Sequence, residues 1–182
     1  MIFTETVLKG VFVIDIEPVT DVRGFFARTW CQREFELNGL KVTWVQSSIS
    51  VNSRRGTLRG MHYQVAPNEE VKLVRCTAGS IYDVIVDLRP ASPTYCQYVG
   101  ITLSANNRRA VYIPKQCAHG FLTLEDNTEV SYHMSEFYKP DRARGFRWDD
   151  PAFNIKWAEA IMVMSERDKT WPTFTLTHQS QP

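Results

Sequence analysis

VKLVRCTAGSIYDVIVDL, residues 71–88, reads as two β-strands joined by a turn. Val71–Cys76 and Ser80–Leu88 are short runs rich in Val and Ile, and Ala78-Gly79 between them supplies the turn. Runs of the same kind lie on both sides: VFVIDI (11–16), TLRGMHYQ (57–64), YVGITL (98–103), AVYIP (110–114), GFLTL (120–124) and TEVSYHM (128–134). The turns between them carry Pro67-Asn68, Pro90 to Pro93, Asn106-Asn107 and Asp126-Asn127. Eight strands at this spacing predict an all-β fold, a jelly roll or related double sheet. A helix is expected near 30–38, stopped by Gly39. The segment 138–172 is polar and aromatic and is broken by Pro140, Pro151 and Pro172. It is expected to wrap the barrel with short helices. No repeat, linker or low-complexity run interrupts the chain, so residues 1–182 read as one domain.

Hydrophobic residues make up 43% and charged residues 23%, the balance of a soluble globular protein. A net charge of +1 gives no general field for nucleic acid or a membrane surface, and neither partner is expected. Aromatics reach 12%, enough to fill a β-core and to stack on a planar ligand. The opening MIFTETVLKGVFVIDIE carries Glu5 and Lys9 ahead of its longest apolar run, which does not read as a signal peptide. Cys31, Cys76, Cys96 and Cys117 are widely spaced, without a C-x-x-C pair. Reduced thiols and a cytoplasmic location are expected.

The chemistry-bearing stretch is GTLRGMHYQ, 56–64, with Lys72 eight residues beyond it. Arg59 is a cation suited to an anionic group, His62 a base with an ordinary pKa near neutrality, and Lys72 a second cation for a developing negative charge. Removing a proton beside a ketone requires these parts. A metal reading competes. Cupin-type jelly rolls often hold a metal through an H-x-H pair, a nearby Glu and a later His. Here His62 is followed at the second position by Gln64, with Glu69, Glu70 and His119 as the remaining donors. A Gln amide is a poor ligand beside imidazole and carboxylate. No metal and no other cofactor is expected.

The motifs DVRGFF (21–26), LRGMHYQ, DVIVDLRPASPTY, IPKQCAHGF, FYKP, FRWDDP and SERDKTWP (165–172) occur in order across nearly the whole chain. Together they resemble the dTDP-4-dehydrorhamnose 3,5-epimerase family, cupin-fold enzymes of nucleotide-sugar pathways. The resemblance implies inversion of the carbons flanking a C4 ketone in a 6-deoxy-4-keto sugar. His62 matches the family base. Asp168 matches the carboxylate that orients it, although Asp83, set among apolar neighbours in its strand, is a rival partner. Lys72 matches the group that stabilises the enolate oxygen. Tyr132 matches the acid that protonates from the opposite face. Period-two alternation independently puts Tyr132 with Thr128, Val130 and Met134 on the more apolar, inward face.

The resemblance further implies that Arg23, Gln46 and Arg59 meet the sugar nucleotide, the guanidinium forks suiting its pyrophosphate. His119 either bonds the phosphate or sugar or holds the His62 region. Phe26 and Tyr138 match aromatics that sandwich the base, with Phe25 beside Phe26 competing for the inward position. A homodimer is implied, with residues 1–16 joining the partner's sheet. Three positions depart from the family pattern: Arg28 and Ala143 stand where glutamate is usual, and Gln46-Ser47-Ser48 replaces Gln-x-Asn. They bear on recognition and leave the His, Asp, Lys and Tyr set untouched. A single-centre epimerase, an enzyme for a CDP- or GDP-linked sugar, a non-catalytic nucleotide-sugar-binding cupin and a metal-dependent cupin are the competing readings.

Overall fold

A computed structural model of the chain describes residues 1–40 and 43–175. The strands are β1 (Ile2–Glu5), β2 (Phe12–Asp15), β3 (Val19–Asp21), β4 (Gly24–Phe26) and β5 (Gln46–Asn52). They continue with β6 (Thr57–Gln64), β7 (Lys72–Ala78), β8 (Ser80–Asp87), β9 (Tyr98–Ser104) and β10 (Ala110–Ile113). The last four are β11 (Cys117–Thr123), β12 (Thr128–Met134), β13 (Ala143–Gly145) and β14 (Val163–Met164). Helices α1 (Gln32–Leu37) and α2 (Glu166–Lys169) are short.

Among the described residues the strands form two six-stranded sheets and a separate β3–β4 hairpin. The first sheet runs β1-β2-β10-β7-β12-β5; the second runs β13-β6-β11-β8-β9, with β14 added alongside β6. Two largely antiparallel sheets of this kind make the expected jelly roll. All eight strands read from the apolar runs are present. β11 starts three residues before the GFLTL run, which brings His119 inside the strand. α1 lies within the expected helix, and Gly39 just beyond it takes the left-handed φ of +76° that ends the turn.

The inner faces of the two sheets bury Val74, Cys76, Ile81, Ile85, Phe121 and Val130. Each such side chain contributes on the order of 1.5–3 kcal/mol when fully removed from water. The outer face of the first sheet is capped by α1, where Phe35 packs on Leu73 and Tyr112. The outer face of the second is covered by the C-terminal segment through Phe146 and Phe153, set against Met61, Val84 and Val86. β8 is covered on both sides, which explains its unbroken apolar character.

Two expectations need correction. The segment after 138 was expected to wrap with short helices, but it lies along the second sheet mostly as irregular chain and turns, with one short helix. β13 and β14 pair with β6, and α2 is only four residues long. Second, β5 was not expected as a strand, yet it pairs along its full length with β12. The opening strand β1, proposed to reach a partner, pairs here with β2 and is the outermost strand of the first sheet.

Candidate active site

At one end of the sandwich the inward positions change from apolar to polar. On β7, Lys72 continues the face that carries Val74 and Cys76. On β12, Tyr132 continues that of Val130. On β11, His119 continues that of Phe121. Period-two geometry therefore carries the core pattern directly into a cavity. The cavity has two adjoining lobes of about 410 and about 300 Å³. His62, Lys72, Tyr132 and Arg167 line both. His62 comes from the second sheet and Lys72 and Tyr132 from the first, so base and acid candidates face each other across the space.

His62 Nε2 bonds Asp168 Oδ1 at 2.6 Å. Asp168 is buried, and its carboxylate also accepts from Trp171 Nε1 at 3.2 Å and the Gly60 amide at 3.4 Å. Burial acts to raise the Asp168 pKa, but the hydrogen bond and charge of His62, with the Gly60 amide and Ser165, hold it below the ordinary value. An ionised Asp168 accepts the Nε2–H and leaves the lone pair on Nδ1. The strand that bears His62 is shaped by glycine. Gly60 has φ +122°, and a Cβ there would lie 2.6 Å from Gly120 Cα on β11. The glycines of LRG and HGF thus let β6 and β11 touch where their histidines are cross-strand partners.

His119 does not compete for Asp168. Its Nε2 bonds Asp83 Oδ1 at 2.6 Å, both groups being buried. Burial raises the Asp83 pKa, against the opposing charges of His119 and Lys72. The two carboxylates considered as partners of His62 are therefore divided, one to each histidine.

Lys72 Nζ pairs with Glu70 Oε1 at 2.9 Å, in a setting where the two side chains are 13% and 11% exposed. Tyr132 Oη lies 3.2 Å from Ser50 Oγ. Burial pushes its pKa far above the ordinary phenol value, with the Ser50 hydrogen bond the largest opposing influence. Tyr132 is thus protonated at neutral pH, as a proton donor must be.

Arg59 lines the smaller lobe, with Nε held by Asn52 Oδ1 at 2.7 Å. Gln46 and Tyr138 line the larger lobe, where Gln46 Oε1 accepts the Tyr138 amide at 2.7 Å. Ser48 and Ala143, two of the departing positions, line that lobe as well. Arg28, the third, pairs with Glu34 at 3.1 Å beside α1.

Arg23 and Phe26 do not join this cavity. Both sit on the β3–β4 hairpin, where Arg23 is bound to Asp21 and Phe26 is 76% exposed. Neither phenylalanine points into the core: Phe25 lies under the Arg108 guanidinium at 4.6 Å, also exposed. A detached two-stranded hairpin has no sheet behind it to create an inner face.

The donors of the metal reading are engaged elsewhere. Gln64 bonds the backbone of Asn68, Phe137 and Lys139, Glu69 accepts from Gln116, and Glu70 holds Lys72. Among the described residues no group of three His, Cys, Asp or Glu side chains is arranged to hold a metal ion.

The model of the dTDP-4-dehydrorhamnose 3,5-epimerase family matches residues 5–175. The chain belongs to that family. The enzyme of this name from Methanothermobacter thermautotrophicus is 43% identical over 172 residues, covering 93% of this chain and 92% of the relative. The crystal structure of a dTDP-4-dehydrorhamnose 3,5-epimerase from Elizabethkingia anophelis superposes with a TM-score of 0.92 at 37% identity, covering 96% of each chain. A dTDP-6-deoxy-D-glucose-3,5-epimerase from Legionella pneumophila, solved with dTDP-4-keto-L-rhamnose, gives 0.87 at 34% identity, covering 94% of this chain and 91% of that one.

Against this epimerase family, two cavity residues, Arg167 and Ser50, and the buried Asn52 that holds Arg59 escaped the sequence reading. Arg167 stacks over Trp171 at 4.9 Å and donates to Tyr138 Oη at 3.4 Å. It sits inside the SERDKTWP motif, where a charged residue beside Asp168 resembles any solvated helix position. Ser50 and Asn52 were hidden because β5 itself was not recognised. No helix of the described residues is long and apolar enough to cross a membrane.

Proposed function

We propose that the chain epimerises C3 and C5 of dTDP-4-keto-6-deoxyglucose, giving dTDP-4-keto-rhamnose. The observation that carries this reading is the His62–Asp168 pair on one sheet facing Tyr132 and Lys72 on the other across one cavity. His62 takes the proton from the carbon beside the C4 ketone, and the C–H electron pair moves into the carbonyl as an enolate. Lys72 stabilises the enolate oxygen. Tyr132 returns a proton to the other face of the carbon, which inverts the centre. Repetition at the second carbon completes the reaction, with no net oxidation and no cofactor. Arg59 and Arg167 line the smaller lobe and suit the pyrophosphate, while Tyr138 and Gln46 serve the nucleoside end in the larger lobe.

The test is incubation with dTDP-4-keto-6-deoxyglucose in heavy water. Deuterium at both C3 and C5, with appearance of the rhamno product, is the expected result by NMR and mass spectrometry. Label at one carbon would mark a single-centre enzyme, and no label would overturn the reading.

A homodimer accounts for Arg23 and Phe26. The hairpin that bears them is detached from both sheets and exposes Val19, Val22 and Phe26, while β5 exposes Ile49 and Val51 beside the cavity. Apolar side chains left exposed at this density mark an interaction surface. In this reading the hairpin of one subunit brings Arg23 and Phe26 to the partner's nucleotide lobe. Arg23→Ala protein mixed with His62→Ala protein will regain turnover that neither has alone, because the mixed dimer holds one complete site. Failure to recover turnover after subunit exchange, checked by native mass spectrometry, would refute the shared site. A cytoplasmic location fits the four free thiols and an activated-sugar substrate.

A further inference from the structure

The chemistry proposed above leaves Tyr132 as a phenolate each time it protonates the sugar carbon. That anion forms in a mostly buried place, beside the carboxyl of Asp83 and against Val130 and Val74. The residues around it include one hydroxyl placed to stabilise it. Ser50 Oγ lies 3.2 Å from Tyr132 Oη, and both groups line the smaller lobe. Asn52, two residues along the same face of β5, directs its Nδ2 to the Thr128 carbonyl at 3.2 Å and to Ser50 Oγ at 3.5 Å. Its Oδ1 in turn accepts Arg59 Nε at 2.7 Å. The arrangement has a direction. Arg59 has only N–H groups to give, so Asn52 meets it with oxygen and turns its amide N–H groups toward Thr128 and Ser50. A Ser50 oxygen that accepts from Asn52 keeps its own proton for Tyr132.

We infer that Ser50 is a positioning residue for the acid, holding the Tyr132 oxygen in line and donating a hydrogen bond that strengthens as the phenolate forms. A hydrogen bond to an ionised oxygen is stronger than one to a neutral phenol. The contact therefore favours the protonating transition state over the ground state, which is the condition for a gain in rate. The inference rests on the reading of Tyr132 as the acid.

The experiment compares Ser50→Ala and Ser50→Thr with wild-type protein on dTDP-4-keto-6-deoxyglucose in heavy water, following deuterium wash-in and net inversion separately. Binding of dTDP and the melting temperature report the fold. Ser50→Ala is expected to slow net inversion about tenfold, the rate equivalent of about 1.4 kcal/mol, while wash-in, which reports His62, stays near wild type. Ser50→Thr, which keeps the hydroxyl, is expected to restore inversion. A parallel fall of both rates in Ser50→Ala, no fall at all, or a Ser50→Thr protein that binds dTDP normally yet inverts as slowly as Ser50→Ala would overturn the inference. An inactive wild type would overturn the functional reading and this role with it. An active wild type with an indifferent Ser50→Ala would overturn the role of Ser50 alone.

Discussion

His62→Ala will lose both deuterium wash-in and net inversion, by about three orders of magnitude in rate, the middle of the range for removal of a general base. Both rates must fall together, because no proton can exchange or invert until the first C–H is broken. The substitution also strips Asp168 of its shortest hydrogen bond. The carboxylate stays buried with Trp171 Nε1 and the Gly60 amide as remaining partners, and burial then acts on it with less opposition. A stability loss on the order of 1–3 kcal/mol is expected, the cost of a buried polar group left short of partners. His62→Asn is the control, since its amide can still donate toward Asp168 but cannot serve as a base. The Asp168 linkage has a definite sign. Its folded pKa is depressed, so its contribution to stability is present above the unfolded carboxylate pKa and is lost as pH falls through the folded value. Melting temperatures of wild type and His62→Ala should therefore differ at neutral pH and converge in strong acid. Retention of wash-in by a folded, dTDP-binding His62→Ala protein would remove His62 as the base.

What the sequence made legible follows from where apolar side chains alternate. β6 to β12 announce themselves because one face of each strand is packed, or both, as in β8. β5 has the reverse pattern. Ser48 and Ser50 line the cavity and Asn52 is buried behind it, while Ile49 and Val51 lie exposed. A strand that offers polar groups to a site and apolar groups to an outer surface looks like a loop when read for core. The same departure from pattern concealed Ser50, which lies beside Tyr132 in the cavity. Tyr132 was accessible to alternation because it extends a face already apolar, whereas Lys72, whose long side chain could equally reach solvent, was placed by the family resemblance. Nor was Asp168 accessible in this way: 106 residues separate it from His62, and only the family resemblance joined them. Locally its position depends on α2, which Ser165 begins by accepting the Asp168 amide at 3.1 Å. A four-residue helix carries too little periodicity to be read, so Arg167 on its exposed face was missed as well. Arg23 and Phe26 show the opposite limit. Their motif is plain in sequence, but one chain alone does not bring them to the cavity.

Tyr132→Phe will separate two processes that wild type performs together. Net inversion is expected to fall about a hundredfold, the scale of losing a positioned general acid, while deuterium wash-in at the carbon facing His62 stays within about threefold of wild type. The reason is geometric. His62 stands on the second sheet and Tyr132 on the first, so removing the phenol hydroxyl leaves deprotonation intact. The enolate, still held by Lys72, can then recover a proton only from the side of His62. That return carries deuterium but restores the starting configuration. Phenylalanine keeps the ring that packs beside Val130 and stacks edge-on to His119 at 6.3 Å, so little stability should be lost. The same logic distinguishes Tyr132 from Lys72. Loss of Lys72 raises the energy of the enolate on either face, so wash-in and inversion must decline in parallel. If Tyr132→Phe behaves like a Lys72 substitution, the phenol stabilises charge and the opposite-face proton comes from elsewhere. If exchange persists while inversion collapses, the two faces of the sandwich are the two halves of the reaction.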